Sequence, residues 1–338
     1  MKKVICVLVA AVLVVALFLG CAPAAPSKVV FAASTVGSGF YTMAVGLVDV
    51  LEMHTSMEVE VQSIGSDPIW LPLFETGKAD IGLTNVDAGK EAYLGLGGYE
   101  EASGGKGYNF RTIQIGSPLL VSMLVKNDSD IQSIPDLKGK KVPSGFGGFA
   151  TAIRSMEAFL ANGGLTYDDV ISVSMTTMYG PDAKNAFIEG RADCLLLSLG
   201  SGLVAELDAS VGVRYLSLDP SPEAIAKLQE HFIAYPYPVK AGSSPGVRED
   251  IHVRAHDVVL IARTTLSDDV VYEITKAIWE NHEELFAVHP RFKQWLPERY
   301  ASTMATFPYH PGAIKFYKEK GVWTSDLEAH QKKLLALK

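Results

Sequence analysis

The sequence predicts an α/β protein of two doubly wound lobes joined by a pair of crossing strands. Three observations carry that prediction. Strand-like and helix-like periods alternate as β-loop-α-β-α-β, and the series occurs twice. A Gly-rich strand-to-helix turn opens each half, at 36–41 and at 145–151. Finally, Phe74-Glu-Thr-Gly-Lys-Ala-Asp-Ile81 in the first half is matched by Ile188-Glu-Gly-Arg-Ala-Asp-Cys194 in the second. Each is a helix end, a Gly cap, a cation suited to the helix C-terminus, then a strand entered through Ala-Asp.

In the first half, Val29–Ala33 is β-branched and apolar and runs into Thr35-Val36-Gly37-Ser38-Gly39. A helix follows, with Phe40, Met43, Leu47, Val50 and Leu51 on one stripe. Glu58–Ile64 alternates as a strand, Pro68–Thr76 reads as a short helix stopped by Gly77, and Ala79–Thr84 as a buried strand. In the second half, Lys141-Val142 leads into Pro143–Gly148, with a helix from about Thr151 to Ala161. Ile171–Met175 is a strand, Asp182–Glu189 a helix and Ala192–Leu197 a buried strand. The apolar runs Leu119–Val125 and Val258–Ala262 are the two crossing strands of a hinge. Asp268–Val288 and Gly312–Leu337 read as helical, with Asp268-Asp269 and Ser325-Asp326 in first turns. The glycine cluster Gly95–Gly107 reads as a surface loop without packing of its own.

Composition narrows the function classes. The 338 residues are 48% hydrophobic and 20% charged, too apolar and too balanced for a disordered chain. A net charge of −8 without a concentrated basic stripe argues against nucleic acid as a partner. A chain near 300 residues commonly splits into two lobes.

Met1-Lys2-Lys3 followed by 17 uncharged residues, Val4–Gly20, is a signal-peptide pattern rather than a membrane span. It ends in Leu17-Phe18-Leu19-Gly20-Cys21, which reads as a lipoprotein signal over 1–20 with Cys21 as the lipidated residue. Phe18 departs from the more usual Leu, and an ordinary secretory signal is the alternative. Cys6 would leave with the signal, so Cys194 remains and no internal disulfide can form. Residues 21–28 then form a lipidated Cys and a short Pro/Ala tether. The expected body is lobe 1 over 29–118 plus 264–338, hinge strands at 119–126 and 256–263, and lobe 2 over 127–255. The expected product is an extracytoplasmic monomer that meets the membrane only through its lipid.

The paired turns are the most informative chemistry. A helix N-terminus offers unpaired N–H groups and partial positive charge, so each turn can hold an anion such as a carboxylate. Neither ends in Gly-Lys-Ser/Thr, which argues against nucleotide phosphate. Phe40, Tyr41, Phe146 and Phe149 lie in or beside the turns, where rings can line a cleft or staple onto their own helices. Gly242-Ser-Ser-Pro-Gly246 fits the hydrolase elbow, but a Pro-rich stretch precedes it and no helix pattern follows. A serine hydrolase using Ser244 is therefore the alternative from another class. His252 and His256, with Asp257 adjacent, give a metal-binding lipoprotein as the third reading. His282 and His289, seven apart, read as a solvated helix face. Neither a catalytic role nor a cofactor is expected.

With those residues in view, the chain resembles the TAXI family of solute receptors of TRAP transporters, ion-gradient-driven importers with two membrane subunits. Gly37-Ser-Gly-Phe-Tyr-Thr42 is similar to the family's first turn. Gln62-Ser-Ile-Gly-Ser66, Gly77-Lys-Ala-Asp-Ile81 and Asn85-Val-Asp87 are similar to its following stretches. Ile134–Val142 resembles the opening of its second lobe, and Tyr309–Gly321 is the most specific match. The resemblance implies a two-lobed, periplasmic-binding-protein-like fold of type II that captures a small organic solute, a carboxylate, for a TRAP permease. Carried over by position, it implies ligand contacts at Ser38, Gly39, Phe40, Tyr41, Ser66 and Asn85 in the first lobe. In the second it implies Phe146, Gly147, Phe149, Ala150, Thr151, Ser198 and Ser201. The second turn, Gly147-Gly-Phe-Ala-Thr151, lacks a hydroxyl that the family commonly has there. Trp70 stands where a polar residue is common, and Asn85 is a shorter amide than Gln. These swaps shift the expected ligand toward a bulkier or less polar acid. Arg154, one helical turn past Thr151, is the nearest cation, and its spacing places it on a solvated face.

Overall fold

A computed structural model describes residues 28–34, 36, 38–65, 67–148, 150–178 and 181–338. The expected signal peptide, Cys21 and the expected tether up to Ser27 lie outside the described residues.

Strand β1 (Lys28–Ala33) buries Val29, Phe31, Ala32 and Ala33. The helix Gly39–His54 follows and buries Met43, Leu47, Val50 and Leu51 of the stripe that the sequence period predicts, with Phe40 half-buried. After β2 (Glu58–Ser63) come two one-turn helices, Asp67–Trp70 and Pro72–Glu75, instead of one. Pro72 has no N–H to continue the ladder, so the expected helix breaks there. β3 (Ile81–Asn85) leads straight into the helix Val86–Leu94. The segment 95–107 is not a free loop. It folds as a 3-10 turn Gly97–Tyr99 and a helix Glu100–Ser103, and Tyr99 is buried beside Tyr108 at 6.5 Å between rings. Gly95 and Gly107 serve close backbone approach: a Cβ on Gly107 would stand 2.1 Å from the Tyr93 carbonyl.

The long strand β4 (Phe110–Lys126) enters the second half, which holds β5 (Lys141–Ser144), β6 (Ile171–Ser174), β7 (Leu195–Ser198), β8 (Val213–Tyr215) and β9 (Tyr235–Val239). β10 (Ile251–Arg263) returns to the first half. An eight-stranded sheet has the order β2-β1-β3-β10-β4-β7, with β8 also on β4 and β9 also on β10; β5 and β6 form a separate pair. β1 is parallel to β2 and β3, whereas β10 is antiparallel to β3, β4 and β9. The architecture is a mixed α/β fold whose strands β4 and β10 cross between two cores.

One core holds Val29, Leu47, Phe110, Val258–Ala262, Trp295 and Tyr317. The other holds Val121–Val125 in part, Phe159, Leu195–Leu197 and Val253. Leu119 packs against both. The crossing strands are longer than their apolar runs because each carries buried polar residues in its other half: Thr112, Gln114 and Ser117 on β4, and Arg254, His256 and Asp257 on β10. The C-terminal helices are Asp268–Glu280, Pro311–Glu319 and Ser325–Leu335, capped by Ser267, His310 and Thr324. The first ends at Glu280, eight residues short of Val288, because the next residue, Asn281, leaves the helical region with φ −123° and ψ 21°.

Gly116 on β4 is held against the Trp295 ring, with a built Cβ only 2.6 Å from the indole. Gly116→Ala should therefore cost about 1–3 kcal/mol by overpacking. Urea unfolding would measure the loss, and a variant as stable as the parent would show that Trp295 yields freely.

Candidate functional site

Helices begin at the carboxyl ends of strands from both lobes, the place where ligands lodge in open α/β sheets. In the first lobe Ser38 caps the helix Gly39–His54 by accepting from Tyr41 N–H at 3.1 Å. Gly39 lies against His289, with Nε2 3.4 Å from where a Cβ would stand. Phe40 and Tyr41 are half-buried against the first core. Asn85 caps the next helix, its Oδ1 accepting from Asp87 and Ala88 N–H at 3.0 and 2.9 Å, which leaves its amide NH2 to donate.

In the second lobe Gly147 has φ +61° and donates to Met175 C=O at 3.2 Å. A Cβ there would stand 2.9 Å from Thr176 C=O, so the turn needs glycine. Phe146 has φ +42° and is buried in the second core, so its ring braces that lobe instead of lining an open cleft. Ala150 opens the helix Ala150–Asn162, and Thr151 is half-buried in its first turn. Ser198 ends β7 opposite Val121, and its carbonyl accepts from Tyr215 OH at 3.1 Å. Ser201 stands at the N-cap of Gly202–Val211 with its hydroxyl buried and unpartnered. Ser66 and Phe149 lie outside the described residues. Trp70 is a core residue: it is fully buried, packs on Gly82 and lies 5.4 Å from the Phe74 ring, so the specificity role expected for it gives way to packing.

Arg154 corrects the sequence reading most sharply. Its guanidinium crosses from the second lobe to the first, with Nη2 2.6 Å from Asp87 Oδ2 and 2.8 Å from Glu91 Oε2. Nη1 also donates to His231 C=O at 3.2 Å, and Ile233 N–H donates to Asp87 Oδ1 at 2.9 Å. Side chains on a helix lean toward its N-terminus, so a residue one turn in points back at the cleft rather than out to solvent. Burial pushes the Glu91 carboxyl above its ordinary range, Arg154 pulls it down, and Asp87 pushes it up again. Nearby, Asp67 turns its carboxyl inward onto the Thr84 hydroxyl at 2.5 Å, and burial pushes its pKa up to about 6.

Two further cations come from outside the turns. Arg254 on β10 is buried, donates to Ser155 Oγ at 2.5 Å and lies 4.0 Å from the Phe232 ring centroid. It sits between His252 and His256, the pair considered for a metal, and places a fixed positive charge there. Burial holds the His256 imidazole well below its ordinary pKa, with Arg254 and Arg291 adding to the effect. The alternation 252, 254, 256 on one strand could have flagged Arg254. His289 is not on a solvated helix face; it caps the turn Pro290–Gln294 and is half-buried. Ser244 Oγ accepts from Gly200 N–H at 3.1 Å, and turn, not helix, follows it.

The chain belongs to the NMT1-like family, matched over residues 31–321. It also shares its fold with a TctC solute-binding protein from Polaromonas, at 14% identity and a TM-score of 0.51, covering 94% of this chain and 99% of that one. The periplasmic sulfonate-binding protein SsuA from Methylobacillus flagellatus KT aligns at 15% identity and a TM-score of 0.50, covering 93% and 96%. At such identities the likeness is one of fold: the two-lobed α/β fold of periplasmic solute-binding proteins.

Two outcomes follow from the charges. Removing Arg154 by Arg154→Ala leaves Asp87 buried without its cation, which should cost on the order of 3 kcal/mol and enlarge the radius of gyration. An unchanged stability and scattering profile would mean that the contact holds nothing. For Asp67, a pKa raised from 3.8 to about 6 means the folded state binds the proton more tightly than the unfolded. Its contribution is fully present below pH 4 and is lost as pH rises through 6. Asp67→Asn should therefore make the protein more stable at pH 8 than the parent, by up to about 3 kcal/mol, with little gain at pH 4. Equal differences at both pH values would contradict this assignment.

Proposed function

We propose that this NMT1-like chain is an extracytoplasmic solute receptor, anchored through a lipid on Cys21, that closes its two lobes on a small organic carboxylate. In this reading it delivers the solute to the membrane subunits of a TRAP transporter, as the TAXI-like stretches 37–42, 62–66 and 309–321 suggest. The supporting observation is that helix starts from the two lobes meet: Asp87 lies in the first turn of Val86–Leu94, and Arg154 lies five residues into Ala150–Asn162. A solute between these ends receives N–H groups and partial positive charge from both sides. Ser38, Tyr41, Asn85, Thr151 and Ser201 add hydroxyls and an amide. None of these groups is arranged for chemistry on a bond: they bind and orient.

Closure follows from the same geometry. A solute that touches both lobes only in the closed form shifts the population toward that form. Thermal-shift screening of mono- and dicarboxylates, amino acids and aromatic acids on the full chain tests the reading. A ligand at 100 times its Kd should add about 2.7 kcal/mol, and small-angle scattering should show compaction. A panel in which no acid stabilises the protein would sink the carboxylate reading, and binding without compaction would sink closure.

A further inference from the structure

A cavity of about 410 Å³ lies beside the crossing strands, with walls from both lobes. Its floor is Pro118 and Leu120 of β4, alternate residues that share one face of the strand. Tyr237 and Val239 of β9 and the turn Leu199-Gly200 form the second-lobe wall, and Pro290, Arg291 and Gln294 form the first-lobe wall. Ser243 and Lys240 stand at the rim. The volume falls within the range of about 300–1,000 Å³ typical of small-molecule sites.

Two features indicate what fits there. Arg291 and Lys240 line the cavity, Lys240 paired with Asp250 at 2.6 Å, and among the described residues no acidic one lines it, although the chain has 38 acidic and 30 basic residues. The floor and the β9 wall are apolar or aromatic. Residues of the cavity wall adjoin the residues at the helix N-termini described above. Arg291 N–H donates to His289 Nδ1 at 3.2 Å, and Nε2 of the same imidazole lies against Gly39 at the first helix start. On the opposite wall Gly200 directly precedes Ser201, the N-cap of Gly202–Val211.

We propose that this cavity is a second compartment of the interlobe site that takes the apolar body of an organic acid, while its carboxylate lies toward Arg291 and the helix starts. The proposal rests on the solute-receptor reading and narrows it to acids with an aromatic or branched aliphatic body. Because the walls belong to different lobes, filling the compartment is coupled to closure. An apolar body leaves water for Leu120 and Tyr237, whereas a short diacid gains nothing there.

Calorimetric titration of the full chain with 3-phenylpropionate, 4-methylpentanoate, succinate and acetate tests it. Ser243→Trp places an indole at the exposed rim without touching either core, and Leu120→Trp fills the floor. Both are expected to weaken the two apolar acids at least tenfold, and Arg291→Gln to do the same. Circular dichroism and the urea midpoint show whether each variant is folded; Ser243→Trp carries the test should Leu120→Trp misfold. Apolar acids that bind with unaltered affinity in Ser243→Trp and Arg291→Gln would overturn the compartment and leave the receptor standing. Binding of succinate or acetate alone would do likewise. If no acid binds, both the compartment and the carboxylate reading fall.

Discussion

The pairing of β4 with β10 is the constraint on which the rest depends. The two strands are in register from Arg254 opposite Val121 to Arg263 opposite Phe110, with irregularities after Asp257 and after Leu260. A bulge bends a strand and re-aims its side chains, so a kink here changes the direction of the chain between the two cores. Asp257 stands at that point. Its buried carboxyl accepts from Tyr235 OH at 2.8 Å and pairs with Arg299 at 2.7 Å, and Arg299 also donates to Gly116 C=O at 3.1 Å. One carboxylate thus ties β9, both crossing strands and the C-terminal segment together. Burial pushes Asp257 up, and Arg299 and Tyr235 oppose that shift, as expected of a buried charge kept by its partners.

Much of this architecture was legible because the pattern was local. The alternation of strand and helix periods, the acidic first turn at Asp268-Asp269 and the cations after Gly77 and Gly190 each follow from a few neighbouring residues. β9 was not legible, since Tyr235-Pro-Tyr-Pro-Val239 looks like a strand breaker. Its prolines face positions 254 and 252 of β10, and among the described residues β9 pairs with no other strand, so every missing N–H falls on one side of an edge strand. The polar halves of β4 and β10 hid their length for a related reason. Apolar windows cannot register a buried Arg254 or Asp257 whose partners Ser155 and Arg299 lie far away in sequence.

The site divides in the same way. Ser38, Asn85 and Ser201 were named through the family resemblance, and the structure places all three at helix N-caps. Arg154 was read onto a solvated face and Arg254 was not singled out, because their partners Asp87 and Ser155 lie 67 and 99 residues away in the chain. Asp87, singled out as part of Asn85-Val-Asp87, meets Arg154 across 67 residues of chain. Positive charge at the interlobe surface is therefore a property of the assembled fold and not of either Gly-rich turn.

This has a consequence for how closure is driven. The Arg154–Asp87–Glu91 contact joins the lobes, but forming it strips water from a guanidinium and two carboxylates. Buried ion pairs often return little more than that desolvation costs, so the contact cannot hold the lobes shut by a wide margin. What it fixes is geometry: a planar guanidinium meeting Asp87 with two nitrogens admits a narrow range of lobe angles. Ile233 N–H on the same carboxylate narrows the range further. On the proposed function, the protein's own charges define the closed arrangement, and the free energy that populates it comes from the solute that both lobes touch.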